Sequence, residues 1–274
     1  MNVLPVVISI PHSGVIIPNH LQSQFLLNPQ EVLYDGDSWT NLLYNFEKRV
    51  LHTALMPIAR CVIDLNRMEV DLPPNNEDGI VKTKSIMSRP VWKRPLSLME
   101  TQSLIMHYYT PYFESLKEAV SIQKPFLGLD CHSMLPDDPF AAEPKKRPLI
   151  CISNRGDVNG EHLNEPLSAP PALMLTFKKA LETQFGINNV RINDPFKGGE
   201  IIRKMSESTN TPWIQIEVNR ELYMPKGDLV MQEPDEETLK RIVDINRKLF
   251  AALESLYQSQ TLMPKRKKPL PIEL

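Results

Sequence analysis

The chain has 274 residues, of which 42% are hydrophobic, so it can bury a sizeable core and is not globally disordered. Its formal net charge of -2 and its pI of about 6.3 give no reason to expect nucleic acid or a membrane surface as a partner. No apolar run approaches the length of a transmembrane helix, and the short apolar segment at the N-terminus lacks the flanks of a signal peptide. Any positively charged site for an acidic ligand must therefore be local.

Short apolar runs, several of them rich in β-branched residues, predict strands, and the lack of strict alternation indicates that most of these strands are covered on both faces. In chain order the runs are Val6–Ile10, Cys61–Leu65, Phe126–Asp130, Leu149–Ser153, Val190–Ile192 and Trp213–Val218. Apolar residues at helical spacing predict helices between these runs. The predicted helices are Tyr34–Val50, a segment capped by Ser97 and Glu100 that runs to about Val120 with a break near Pro111, Pro171–Phe185 and Asp235–Tyr257. This alternation indicates an α/β layered fold with a mostly parallel or mixed sheet.

The chain is expected to form one large domain followed by a tail. Residues 1–260 are assigned to a single catalytic domain, because α/β chains of this length commonly form one domain. Residues 71–95 are rich in proline, asparagine and charge and predict a long loop, a feature that is uncommon unless functional or disordered. The basic, proline-containing residues 261–274 predict a solvated tail.

The cysteines indicate a reducing compartment. They are Cys61, Cys131 and Cys151. Their number is odd, they are widely spaced, and each lies inside an apolar run, so we expect small buried thiols rather than disulfides. The expected location is therefore the cytoplasm.

Polar residues with catalytic potential follow several of the predicted strands. The first strand leads into His12, and the third leads into His132. The run at 61–65 leads into Asn66 and Arg67, while the run at 213–218 contains Glu217 and leads into Arg220. Ligands of α/β sheets bind beyond the carboxyl ends of the strands. We therefore expect these side chains to converge on one site.

The two histidines point to a metal centre. A catalytic zinc ion usually has three protein ligands and one open position, and imidazole is a common ligand. His12 and His132 would supply two ligands, and a pair of hydrogen-bonded structural histidines is the alternative. The third ligand is expected to be Asp37, with Asp35 as the alternative, although aspartate near a helix start also serves as a cap. Asp130 shares a strand face with His132 and could orient its imidazole.

Glu217 and several arginines complete a hydrolytic site. The apolar surroundings of Glu217 are expected to raise its pKa and suit it to act as a general base, although a salt bridge to Arg220 is the alternative. Arg67 and Arg220 are candidates to bind the carboxylates of an acidic amino acid, because arginine holds a carboxylate through a two-pronged contact. Arg60 is a candidate to stabilise a developing oxyanion, and for each arginine a surface ion pair is the alternative.

Gly198 and Gly199 precede a predicted helix. Two glycines there would let backbone N–H groups approach a bound anion, and a plain tight turn is the alternative. The sequence contains no phosphate-binding loop, dinucleotide fingerprint or Gly-x-Ser-x-Gly motif.

The order of several short motifs carries a resemblance to a known family. They are ISIPHSGVIIP, DGDSW, VIDLNR, GIVKTKS, LGLDCHSM, ISNRGD, NDPFKGGEII and QIEVNRELYM. With these motifs the chain resembles the N-formylglutamate amidohydrolase family up to about residue 231. The resemblance implies a three-layer α/β fold with a central mixed sheet, similar to zinc exopeptidases, carboxypeptidases and aspartoacylases. It also implies one zinc ion and hydrolysis of N-formyl-L-glutamate to formate and glutamate, a late step in one route of histidine breakdown.

The resemblance also implies roles for individual residues. His12 and His132 look like zinc ligands, with Asp37 as the third. Asn66 and Arg67 match a pair that holds a substrate carboxylate in related enzymes, and Glu217 matches the catalytic glutamate. Phe196 and Glu200 depart from the family pattern at positions expected to line the pocket. The alternatives are hydrolysis of another N-acyl amino acid or short peptide, a non-catalytic protein that binds an acidic metabolite and, less favoured, a metal-dependent phosphatase.

Overall fold

A six-stranded mixed sheet lies at the centre of the protein. The computed structural model describes residues 3–46, 48–139, 141, 143, 145–225 and 233–262. The strands are β1 (Leu4–Ile10), β2 (Val50–Leu55), β3 (Leu127–Met134), β4 (Ile150–Ser153), β5 (Val190–Ile192) and β6 (Trp213–Asn219). They lie in the order β2-β1-β3-β6-β4-β5. The first four strands in this order are parallel, whereas β4 pairs antiparallel with β6 and parallel with β5.

Helices cover both faces of this sheet. They are α1 (Pro29–Asp35), α2 (Thr40–Leu43), α3 (Leu98–Leu104), α4 (Thr110–Gln123), α5 (Pro171–Phe185), α6 (Glu200–Thr209) and α7 (Glu236–Leu262). On one face α2 and α5 pack against α7, and on the other α4 packs against α6. Each face has its own hydrophobic cluster, with Val6 and Ile8 of β1 in one and Val7 in the other. The predicted three-layer α/β fold with a central mixed sheet is confirmed.

The predicted helix over Tyr34–Val50 is wrong. The helix in this region, α1, lies earlier in the chain, where Asn28 and Glu31 form a capping box and Gly36 follows the last turn. After the short α2, the segment from Val50 forms β2 and pairs with β1 along the edge of the sheet. Pairing with β1 therefore decided the conformation of Val50, which the apolar spacing alone had assigned to the helix.

The predicted strand over Cys61–Leu65 is also wrong, because this segment forms buried turns. Its side chains are all inaccessible to solvent, which explains their apolar character. The Asp64 N–H donates to the carbonyl of Ile80 in the long loop, and the Arg67 N–H donates back to the carbonyl of Asp64. A short apolar run of this kind cannot be distinguished from a strand by periodicity.

The remaining predicted elements are close to the observed ones. The helix predicted from Ser97 consists of α3 and α4 joined by a π-helical turn at Ile105–Tyr109, which ends two residues before Pro111. A wider turn fits this position, because proline has no N–H and its ring crowds the carbonyl of the preceding turn. The predicted loop at 71–95 contains no helix or strand. None of the helices in the described ranges is both long and apolar enough to cross a membrane. Of the predicted tail, residues 263–274 lie outside the described residues.

Candidate active site

Three parallel strands bring the candidate catalytic groups to one edge of the sheet. His12 follows β1, His132 lies near the end of β3, and Glu217 lies near the end of β6. His132 and Glu217 are register partners, so their side chains project from the same face. The Asp37 N–H donates to the carbonyl of His12 over 2.8 Å, which holds the turn after α1 against this edge. These side chains line a cavity of about 510 Å³.

His12, Asp37 and His132 form a buried group that could hold a metal ion. Their potential ligand atoms all lie within 4.8 Å of one another. The Asp37 carboxylate lies 2.9 Å from Nδ1 of His132 and 3.4 Å from Nδ1 of His12. Asp35 does not belong to this group, because its carboxylate accepts hydrogen bonds from the Lys82 ammonium and the Ile86 N–H.

Each histidine has a further carboxylate partner at Nε2, the ring nitrogen that points away from Asp37. Nε2 of His12 lies 2.8 Å from Asp64, and Nε2 of His132 lies 2.8 Å from Asp130. The hydroxyl of Ser9 donates to the other Asp130 oxygen over 2.7 Å. These contacts leave both Nδ1 atoms directed at Asp37. Histidine ligands of metal ions are oriented by outer carboxylates in this way.

The electrostatics of the group also fit a divalent cation. Burial alone would raise the pKa of Asp37, but the hydrogen bonds from His12 and His132 and the charges of both imidazoles together outweigh burial and hold the pKa well below its usual range. For His132, burial would lower the pKa, but the charge of Asp130 and the hydrogen bonds to Asp130 and Asp37 together outweigh burial and raise the pKa. The set of two imidazoles and one carboxylate is one that catalytic zinc sites use. A buried carboxylate between two histidines therefore has the charge and the donor types that a metal ion requires.

Replacing Asp130 by Asn should weaken metal binding without removing a ligand. An amide cannot provide the negative charge that faces Nε2 of His132, and outer carboxylates of this kind contribute about 10- to 100-fold to metal affinity. We expect the zinc dissociation constant of Asp130→Asn to rise by that factor, measured by competition with a chromogenic chelator. The control is Asp157→Asn, which makes the same change at a carboxylate that lies outside the metal-binding group and does not line the cavity. Unchanged affinity in Asp130→Asn would contradict the orienting role.

Glu217 has the environment of a general base. It is only 7% exposed, and burial raises its pKa to about 7. Its one hydrogen bond among the described residues comes from the Gln215 side-chain amide over 2.9 Å. A carboxyl group with a pKa near neutrality can both accept and return a proton at physiological pH.

The raised pKa of Glu217 should lower the stability of the metal-free protein at high pH. The folded state retains this proton between the ordinary value of 4.5 and about 7, so the free energy of unfolding falls as pH rises through that window. Glu217→Gln removes the charge, and we expect it to be more stable than the parent at pH 8 by about 2–3 kcal/mol. The difference should shrink as pH approaches 4.5. Thermal unfolding across this pH range tests it, and a variant less stable at pH 8 would contradict it.

A hydrogen-bond network connects Glu217 to the pair Asn66 and Gly199. Gln215 accepts from the Asn66 side-chain amide over 3.1 Å and from the Gly199 N–H over 2.9 Å. The Asn66 side-chain oxygen accepts from the Ile201 N–H at the start of α6. The Gly199 and Ile201 N–H groups therefore donate within the protein, rather than to the bound anion that the sequence led us to expect. A Cβ at Gly199 would lie 2.3 Å from the Asn66 side chain, so only glycine allows this close approach.

The predicted arginines reach the cavity with different partners. Arg60 donates through Nε to Asp64 over 2.9 Å. Arg67 contacts Asp78 of the long loop. Arg220 donates to the hydroxyl of Ser133, to the carbonyls of Tyr34 and Gly36 and to the Asp37 carboxylate. Most donors of Arg220 are thus engaged inside the protein, where they hold Asp37, and its side chain also lines the cavity, so its predicted contact with substrate stays a prediction.

Several cavity residues were missed by the sequence reasoning. They include Lys82, Asp78, Met134, Leu135, Arg147 and Gln215. Phe196, which is expected from the sequence to line the pocket, does line the cavity, and its ring centre lies 5.0 Å from the guanidinium carbon of Arg147. Glu200 does not line the cavity and instead pairs with Arg203. Gln215 could have been found from its position two residues before Glu217, on the same strand face.

Comparisons with known proteins identify relatives of this chain. The sequence model of the N-formylglutamate amidohydrolase family matches residues 4–224. The structure of an N-formylglutamate amidohydrolase from Ralstonia eutropha JMP134 is similar, with a TM-score of 0.73 and 22% identity over 94% of this chain and 96% of that one. A gene product of Agrobacterium tumefaciens is similar with a TM-score of 0.60 and 17% identity, over 92% of this chain and 91% of the other. Both likenesses show a shared fold. No curated protein matches the chain significantly by sequence.

Proposed function

The chain belongs to the N-formylglutamate amidohydrolase family, and from this premise we propose that it is a zinc-dependent enzyme that hydrolyses N-formyl-L-glutamate to formate and glutamate. One observation carries the proposal: the buried group of His12, Asp37 and His132 and the carboxyl group of Glu217 line the same cavity. Arg60 and Arg67 line it too, which suits an anionic substrate. A family match, a possible metal site and a base with a suitable pKa all support amide hydrolysis.

In the proposed mechanism His12, Asp37 and His132 would hold the metal. A bound divalent ion would supply Lewis acidity, which polarises the acyl carbonyl and makes water easier to deprotonate. Glu217 takes a proton from the attacking water as the C–O bond forms, and it delivers this proton to the leaving amine nitrogen as the C–N bond breaks. Its burial beside His132 suits both transfers, because neither protonation state is strongly preferred near pH 7.

The basic residues of the cavity bind and stabilise negative charge. Arg67 holds a carboxylate of the substrate, with Asn66 fixed beside it by Gln215 and α6. Arg60 stabilises the negative charge that develops on the carbonyl oxygen, and Asp64 keeps its guanidinium in place. Gly198 and Gly199 shape the adjoining wall of the cavity. Since Cys61, Cys131 and Cys151 are all buried and unpaired, we also propose a reducing, cytoplasmic environment for the enzyme.

Turnover of a substrate panel by the zinc-loaded, full-length protein tests this proposal. The panel contains N-formyl-L-glutamate, N-formyl-L-glutamine, N-acetyl-L-aspartate and a short peptide. We expect the highest kcat/KM for N-formyl-L-glutamate and about one metal ion per chain by elemental analysis. Higher kcat/KM for another member would reassign the substrate. Binding of glutamate without turnover of any member would favour a non-catalytic metabolite-binding protein.

A further inference from the structure

The long loop at 71–95 places a carboxylate on two cations of the cavity wall. Asp78 lies 2.6 Å from Nη2 of Arg67 and 2.9 Å from Nζ of Lys82. The Asp78 main-chain carbonyl also accepts from Nε of Arg67 over 2.8 Å. All three residues line the cavity that contains the metal-binding group.

The cations lie on the inner side of this contact and the carboxylate on its outer side. The Lys82 side chain is 2% exposed and that of Arg67 is 31% exposed, whereas that of Asp78 is 53% exposed. Lys82 is further held by Asp35, with both carboxylate oxygens 3.3 Å from its ammonium group. The two cations are therefore built into the cavity wall, and Asp78 reaches them from a loop that borders solvent.

The charge around Asp78 is that of an anion-binding site. Partial burial would raise the pKa of Asp78, but the attraction of Lys82, Arg60 and Arg67 outweighs it and lowers the pKa. An arginine and a lysine that share one carboxylate provide both a planar guanidinium and a point charge. The carboxylate of a ligand could make the same contacts with Arg67 and Lys82 that Asp78 makes.

We propose that Arg67 and Lys82 form a subsite for one carboxylate of the substrate, and that Asp78 fills this subsite until the substrate displaces it. The inference rests on the proposed function, because it takes an acidic N-acyl amino acid as the ligand. Asp78 competes with the ligand from within the chain, so only a ligand with a correctly placed carboxylate can take its position. Lys82 and Asp78 then help to determine specificity, and Asp78 sets how much substrate is needed for occupancy.

The variant Asp78→Asn tests the proposal. It removes the competing charge and keeps the main-chain carbonyl that accepts from Arg67. A partly exposed ion pair contributes up to about 1 kcal/mol, so we expect KM for N-formyl-L-glutamate to fall about three- to fivefold with kcat nearly unchanged. The affinity of the zinc-loaded protein for L-glutamate, measured by calorimetry, should rise by a similar factor. A KM that rises or stays the same would overturn the proposal, since Asp78 would then be a support for Arg67 or irrelevant to binding.

The matched control is Glu69→Gln. Glu69 lies two residues after Arg67 and does not line the cavity, and its carboxylate lies 2.8 Å from Lys204. We expect its KM to stay within twofold of the parent, and an equal fall in both variants would overturn the subsite in favour of a general charge effect. Calorimetry separates this proposal from the proposed function. Tighter glutamate binding by Asp78→Asn without turnover by the parent would support the subsite and refute the enzyme assignment. Normal turnover by the parent with unchanged glutamate binding by Asp78→Asn would support the enzyme assignment and refute the subsite.

Discussion

Glu217→Gln should nearly abolish turnover while the protein keeps its metal and its substrate affinity. Glutamine fills the same space but cannot accept a proton, and positioned general bases contribute about 10²- to 10⁴-fold to rate. We expect kcat for N-formyl-L-glutamate to fall by that factor, with KM changed much less. Steady-state kinetics of the zinc-loaded protein, together with its metal content, provide the measurement.

The control for this prediction is Glu221→Gln. Glu221 follows β6 on an exposed turn and does not line the cavity, so the same chemical change there should leave kcat within twofold of the parent. Full activity in Glu217→Gln would exclude Glu217 as the base. Combined with the stability prediction above, the expected result is a variant that is more stable at pH 8 and inactive, as is common for buried catalytic groups.

His132→Ala should remove both the metal and the activity. His132 supplies one of the candidate ligands and also holds Asp37 in place through Nδ1. Catalytic zinc sites usually have three protein ligands, so a site with two should not retain the ion during dialysis. We expect less than about a tenth of the parent's bound zinc and a loss of at least about 10³-fold in kcat/KM, since the Lewis acid is lost.

Thermal unfolding gives an independent measure of the same site. Zinc at a hundred times its dissociation constant should stabilise the parent by about 2.7 kcal/mol, and it should leave His132→Ala unaffected. His107→Ala is the control, because this exposed histidine of the π-helical turn does not belong to the metal-binding group and does not line the cavity. Retention of stoichiometric zinc and activity by His132→Ala would disprove the metal centre.

The positions where the strands end, and the catalytic groups found there, could be predicted from the sequence because each strand is indicated by a local run of apolar residues. The runs before His12 and His132 and the run around Glu217 are short and largely apolar, and parallel pairing brings their ends to one edge. Asp37 could not be separated from Asp35, because the choice depends on Gly36, which ends α1 and directs the two carboxylates to different partners.

The supporting carboxylates and amides were harder to predict because their partners are distant in sequence. Asp64 lies in an apolar run that reads as a strand, yet its side chain contacts His12, which is 52 residues away. Gln215 contacts Asn66 across 149 residues. Only the folded chain shows such partners, since burial makes a hydrogen bond obligatory without specifying which group provides it.

Asp64 contacts a candidate metal ligand and also residues that we assign to substrate binding. Its two carboxylate oxygens accept from His12, from Arg60 and from the Asn66 N–H. A shift of this one side chain would therefore change the orientation of a metal ligand together with groups assigned to the substrate. Binding of the two ligands is then thermodynamically linked, and the linkage is reciprocal. Since zinc raises substrate affinity in the proposed mechanism, substrate must raise zinc affinity by the same factor, so more chelator should be needed at equilibrium to remove the metal from the saturated enzyme than from the free one.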